Sequence, residues 1–327
     1  MGSHNGCMDI DPQMDAALTY MRERASLREG EVPAGMDEVR RNTYTDFAYW
    51  NEDPPKLHSV NDIQLNGAFG PRTVRHYQTE EHKIPAPALV HFHGGGWIVG
   101  DLDLEDRFLR ELALESKLDI FSVDYVLAPE FPYPKPLEDC ISVCESIAGH
   151  ATSLGLDTKQ LSISGSSAGA NLALATALSL RDRHKQLFSQ MLLFYGVFRA
   201  STDSDSHREF SDDRCSPGGP GLELFLQRYL SDQKQRTDPL VSPLDAVLTG
   251  LPPCYLCIAE LDALRDDSLH LEQKLLAANV PTTSNFYKGV IHGFTLMSRT
   301  VDIAGTAIND AADYLKGQHP PGVTELE

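Results

Sequence analysis

The chain has 327 residues, enough for one large α/β domain with insertions or for two small domains, and its 41% hydrophobic and 23% charged residues exclude a disordered or fibrous protein. A formal net charge of −19, from 47 acidic against 28 basic side chains, argues against nucleic acid or an anionic membrane surface as the partner. No stretch approaches the ~18 apolar residues of a membrane span, and the first thirty residues lack the basic start and apolar run of a signal peptide, so a cytoplasmic protein is expected.

In chain order, residues 1–55 come first, with amphipathic helical segments at Asp11–Leu27 and Met36–Trp50 broken by Gly30, Pro33 and Gly35. They look appended to the rest of the chain. Ser59–Leu65 and Thr73–Gln78 flank the Gly67–Pro71 turn signal and predict an antiparallel hairpin at a sheet edge. From there, short β-rich runs alternate with helical patterns, the sequence form of a mostly parallel sheet with crossover helices on both faces. The strands expected are Ala88–Phe92, Asp119–Tyr125, Leu161–Ser164, Gln190–Phe194, Cys254–Ala259 and Thr283–Tyr287. Helices are expected over about 103–117, 136–150, 168–184, 266–279 and 301–316.

After the strand ending near Phe194 the rhythm breaks. The polar run STDSDSHREFSDD and the turn-rich SPGGPG precede a helical GLELFLQRYL. The chain is therefore expected to divide into N-terminal cap helices at 1–55, an α/β domain at 56–198 and 238–327, and a cap insertion at 199–237. Both helical additions are expected over the C-terminal ends of the strands, where ligands bind in such sheets. Cysteines at 7, 140, 144, 215, 254 and 257 are too scattered for a disulfide framework, and reduced thiols are expected. Cys254 and Cys257 form a CxxC, but inside the apolar run PCYLCIAEL they read as inert core.

The sharpest motif is LSISGSSAGANLALATAL at 161–178, where an apolar strand runs through Gly165-Ser166-Ser167-Ala168-Gly169 into a helix of small residues. This is G-x-S-x-G between strand and helix, a tight turn that holds the hydroxyl of Ser167 out at the end of a sheet. The helix N-terminus behind it offers its dipole and the Ala168 N–H to a developing oxyanion. A Walker loop would need a Gly-Lys-Ser/Thr ending, which is missing. Upstream, Gly94-Gly95-Gly96 follows the strand PALVHF directly and leaves a run of unhindered N–H groups, the other half of an oxyanion hole.

A serine hydroxyl is a weak nucleophile and needs a base held in the right tautomer by a carboxylate. In this architecture the chain order is Ser, acid, His, with the last two on loops after late strands. Asp262 follows the apolar run ending at Ala259, and His292, in Gly289-Val290-Ile291-His292-Gly293-Phe294, follows the last strand. Asp266 and Asp267 compete with Asp262, but they start the next helix, where cap and dipole roles suffice.

Four motifs in order, HGGGW at 93–97, VDYVLAPEFPYP at 123–134, GSSAG at 165–169 and LDALRDD at 261–267, joined by IHGF at 291–294, resemble the signatures of the hormone-sensitive-lipase-like esterases, the bacterial family IV of capped α/β-hydrolases. The resemblance runs from about residue 60 to the C-terminus. It implies the α/β-hydrolase fold, a triad of Ser167, Asp262 and His292, and oxyanion-hole N–H groups from Gly95, Gly96 and Ala168. By the same resemblance His93 is structural, no cofactor is required, dimerisation to a homodimer is frequent, and the substrate is a small-molecule ester of short acyl chain.

Two positions depart from the family pattern, with Ser166 where Asp, Glu or Thr is usual and Val126 where Arg is usual. Neither removes a triad group or an oxyanion donor. An amidase, carbamate hydrolase or deacetylase with the same triad remains an alternative, as does a non-catalytic ligand-binding relative, although such proteins lack the histidine. Trp97, Phe198, Phe210, Phe225, Tyr229 and Phe294 are candidate pocket walls, with ordinary core packing equally open to each.

Overall fold

The computed structural model describes residues 9–28, 34–79, 85–183, 186–210 and 219–317. In chain order the elements are α1 (Pro12–Ser26), α2 (Met36–Phe47), β1 (Ser59–Gly67), β2 (Gly70–Gln78), β3 (Ala86–Phe92), α3 (Asp106–Ser116), β4 (Asp119–Val123), α4 (Lys135–Gly149) and the short α5 (Ala151–Leu154). There follow β5 (Leu156–Ser166), α6 (Ala168–Asp182), β6 (Gln190–Phe194), α7 (Asp205–Glu209), α8 (Gly219–Tyr229), β7 (Cys254–Leu261), α9 (Arg265–Ala277), β8 (Thr282–Ile291) and α10 (Asp302–Leu315). The strands form one sheet in the order β1-β2-β4-β3-β5-β6-β7-β8. The expected hairpin β1–β2 is its antiparallel edge, and from β4 to β8 every pair is parallel.

Alternation along the strands decides which layer each side chain joins. Ala88, Val90 and Phe92 of β3 and Met191 and Leu193 of β6 pack toward α4, α6 and α9. Leu89, Leu192 and Phe194 point the other way, toward α3, α10 and α1. Burial on both faces is why these strands read as continuous apolar runs rather than alternating ones. α6 is buried at every position from Ala168 to Leu180, which its run of alanines and leucines permits. Cys140, Cys144, Cys254 and Cys257 are buried free thiols; Cys7 and Cys215 lie outside the described residues.

Two strands extend past their sequence bounds through irregular pairing. β5 starts at Leu156 because Ala86 pairs with Leu156 while Ala88 pairs with Leu161, leaving the polar residues between as a bulge. β8 continues beyond Tyr287 because, after a shift in register, Leu261 pairs with Ile291. The second irregularity matters for chemistry. It places Asp262 and His292, each one residue further on, side by side at the sheet's end.

The N-terminal segment lies outside the α/β alternation, yet it is tied in closely. Asp11 accepts from Gln13 N and Met14 N at the start of α1, and its own N–H donates to Gly289 O of β8 at 2.9 Å. Met14, Ala17 and Leu18 are buried against the α10 layer, and Trp50 donates from Nε1 to Thr300 Oγ1. Within the expected cap segments, residues 1–8, 29–33 and 211–218 lie outside the described residues.

The insertion after β6 is anchored by two carboxylates, Asp266 and Asp267, which lie in the first turn of α9 as expected for a dipole role, but the expectation that they cap the helix needs correction. Asp267 Oδ2 accepts from Phe198 N and Arg199 N at 2.8 and 2.9 Å, and Asp266 Oδ2 accepts from Ser206 N at 2.8 Å. Leu264, not an aspartate, is the cap residue of α9. The two side chains turn back from the first turn of α9 to accept from N–H groups at Phe198, Arg199 and Ser206, where the insertion begins. Burial pushes the Asp267 carboxyl up to about 7 despite its two N–H donors. A carboxyl that holds its proton more tightly when folded stabilises the fold fully below its ordinary value of 3.8, and that contribution is lost as pH rises through 7. Asp267→Asn keeps an oxygen for both N–H groups. It is expected to equal or exceed the wild type in urea denaturation at pH 8 and to flatten the decline in stability between pH 4 and 7.

Candidate active site

β5 delivers Ser167 and β3 delivers the glycine loop to the same end of the sheet, because these two strands are hydrogen-bonded neighbours. Ser167 sits at φ 55, ψ −118 between strand and helix, a backbone position rarely held by a residue with a side chain, and its N–H donates to Phe194 O at 2.9 Å. The turn is possible only with bare backbone next to it: a Cβ on Gly169 would fall 2.0 Å from Phe92 O. Ala168 opens α6, so its N–H has no intrahelical acceptor. Among the described residues the N–H groups of Gly95 and Gly96 likewise take no backbone or side-chain acceptor.

The three candidate reactive side chains meet. His292 Nδ1 lies 2.8 Å from Asp262 Oδ2, and His292 Nε2 lies 2.9 Å from Ser167 Oγ. Asp262 is buried, and its other oxygen accepts from Leu264 N at 2.8 Å. With a carboxylate as acceptor, Nδ1 carries the proton and Nε2 is left to accept from the serine hydroxyl, an assignment made from these partners. Such a chain can take a proton from Ser167 and return it to a leaving group.

Ser167, His292 and the backbone of Gly94, Gly95 and Gly96 open into a cavity of about 280 Å³. Its outer wall comes from the helical additions: Met21 of α1, Thr43 and Phe47 of α2, and Phe225 of α8. Of the six aromatic candidates only Phe225 lines it. The Phe225 ring lies directly on Gly96, where a Cβ would fall 2.5 Å from its Cγ. Trp97 instead stacks on Tyr229, with centroids 4.3 Å apart, and Phe198, Phe210 and Phe294 are buried in the core. His93 is also held in the framework, with Nδ1 2.7 Å from Gly94 O and its ring stacked on Tyr125.

Two residues of the site escape sequence reasoning. Tyr195, just past β6 at φ 37, sets its ring edge against His292 with centroids 5.0 Å apart, while its hydroxyl lies 2.5 Å from Thr295 Oγ1. Glu105, at the head of α3, is buried in the cavity's inner wall. It lies in the acidic stretch DLDLED, which reads as an ordinary solvated helix start. Among the described residues no group of three or more His, Cys, Asp and Glu side chains could hold a metal ion, and no helix is long and apolar enough to cross a membrane.

Comparison with known proteins gives this arrangement a setting. A family model described as alpha/beta hydrolase fold matches residues 89–296. An acetyl esterase of Salmonella typhi is 34% identical over 287 residues, covering 86% of this chain and 88% of that protein. Among solved structures, an esterase of Pyrobaculum calidifontis superposes with a TM-score of 0.86 at 28% identity, covering 94% of this chain and 98% of that one. A thermostable carboxylesterase from a metagenomic library gives 0.83 at 29% identity, covering 88% and 99%.

Proposed function

As a member of the α/β-hydrolase family, in its hormone-sensitive-lipase-like branch, the chain is a carboxylesterase, and from that premise we propose that it cleaves short-acyl esters with Ser167 as nucleophile, His292 as base and Asp262 as the group orienting the imidazole. The observation that carries this reading is the unbroken chain from Asp262 through His292 to Ser167, ending in a cavity beside free backbone N–H groups.

Ser167 Oγ attacks the ester carbonyl carbon as its proton passes to His292 Nε2. The carbonyl oxygen, now an anion, is received by the N–H groups of Gly95, Gly96 and Ala168, which cost no reorganisation because the backbone already holds them in place. Collapse expels the alcohol, which takes the proton from Nε2 and leaves the acyl group on Ser167. A water molecule then gives its proton to Nε2, attacks the same carbon, and releases the acid as the serine recovers its proton.

Residues 1–55 and 199–237 act as the cap. Support for a short acyl chain comes from Phe225, which closes the cavity over Gly96, and from the Salmonella relative, an acetyl esterase. A p-nitrophenyl ester series, run beside matched anilides, tests the reading. The expected kcat/KM is highest from acetyl to butyryl, then falls by roughly tenfold or more for each methylene the cavity cannot house. In Phe225→Ala the fall should begin at longer chains, with acetyl ester turnover little changed. A wild-type optimum at decanoyl, or on the anilides, would refute the short-acyl ester assignment.

A further inference from the structure

Glu105 is 2% exposed, its carboxylate takes no part in the acyl transfer, and yet it touches both halves of the site. Its Oε1 accepts from Gly94 N at 2.9 Å, and its Oε2 lies 2.6 Å from His91 Nε2 and accepts from Ser166 Oγ at 3.3 Å. Gly94 immediately precedes the free N–H groups of Gly95 and Gly96; Ser166 immediately precedes Ser167. We propose that Glu105 is a positioning residue, whose buried carboxylate fixes the oxyanion loop relative to the nucleophile turn so that the two sets of N–H donors converge on one point.

Strand pairing does not reach far enough to do this. The pairing of β3 with β5 ends at Phe92 opposite Gly165, and beyond it the two loops share no backbone hydrogen bond among the described residues. The approach is close even so, since a Cβ on Gly94 would fall 3.2 Å from Ser166 O and 3.4 Å from Ser167 Cβ. A carboxylate is suited to the task because it accepts at two oxygens; a neutral carboxyl would lose one acceptor site to its own proton. Burial pushes the Glu105 carboxyl up, but the hydrogen bond and charge of His91, followed by the Gly94 N–H, hold it below its ordinary range.

His91 in turn is held by Ser164, whose Oγ lies 2.7 Å from Nδ1. Ser164, His91 and Glu105 thus repeat the order hydroxyl, imidazole, carboxylate seen at Ser167, His292 and Asp262. Both Ser164 and His91 are fully buried, however, so no substrate reaches this second set. It serves as a strut across β3 and β5, with Glu105 as its outer end.

The proposal rests on the nucleophile reading, and the two fail separately. Ser167→Ala tests the nucleophile, whereas Glu105→Gln leaves the nucleophile in place. The amide can keep one N–H donor on its oxygen, but its NH₂ group cannot accept the other. Removing one oxyanion donor typically costs about 100-fold or more in kcat, and a misplaced loop is expected to cost of the same order, with KM within about threefold of wild type.

Fluorophosphonate labelling of Glu105→Gln should slow to a similar degree yet reach the wild-type stoichiometry, which a partly unfolded sample would not. Ser166→Ala alone should cost less than tenfold, and the double variant should be no slower than Glu105→Gln, because both act through one tie. A wild-type or raised kcat in Glu105→Gln would overturn the proposal, since the carboxylate's charge would then only oppose the oxyanion. So would a loss in kcat matched by a loss in labelling stoichiometry, or full additivity in the double variant.

Discussion

Ser167→Ala is expected to lower ester turnover by on the order of 10⁵–10⁶-fold and to abolish covalent labelling by a fluorophosphonate. The side chain protrudes from a turn held by the Ser167 N–H bond to Phe194 O, and by the close approach of Gly169 to Phe92. Loss of one hydroxyl leaves those features intact, so the variant should melt at the wild-type temperature. Ser166 does not substitute: its Oγ is buried and turned toward Glu105 rather than toward His292. Labelling that survived in Ser167→Ala would sink the assignment.

Asp262→Asn should cost about 10⁴-fold in kcat with the fold retained. The magnitude follows from what each carboxylate oxygen does. Leu264 N–H, buried with it, needs an acceptor and has Oδ1. An asparagine that keeps its oxygen there presents its NH₂ group to His292 Nδ1, which must then accept. The imidazole proton moves to Nε2, where it faces Ser167 and cannot accept the serine proton. Labelling should therefore be slowed but complete, unlike that of Ser167→Ala. Wild-type rates would move the role elsewhere, yet Asp266 and Asp267 already receive N–H groups of the insertion.

The fold, and the meeting of Ser167, Asp262 and His292 at one end of the sheet, were legible in the sequence because chemistry restricts such a constellation so tightly. A serine flanked by small residues between strand and helix, a bare glycine loop after an earlier strand, and an acid and a histidine after late strands admit few other arrangements. Asp262 could be preferred to Asp266 and Asp267 from its place at the strand end, although helix capping does not account for the other two. Sequence spacing shows that an aspartate starts a helix; it does not show that a distant loop brings N–H groups to it. The same limit explains the aromatics. That α8 is helical follows from its pattern, but only its rotation against Gly96 decides that Phe225 rather than Tyr229 faces the cavity. Glu105 was hidden for a related reason, since its three partners come from β3, the glycine loop and the nucleophile turn.

The bond from Asp11 N to Gly289 O joins nearly the first described residue to β8, the last strand described. During synthesis α1 emerges long before β8 and α10, which supply its docking surface. Met21 and His292, which line one cavity, are separated by the same delay. Non-local closure of this kind is slow and comes late in folding. On the proposed triad, ester cleavage is then a property that no fragment ending before β8 can possess, and the appearance of activity during translation would time the emergence of β8 and α10 rather than the formation of the core.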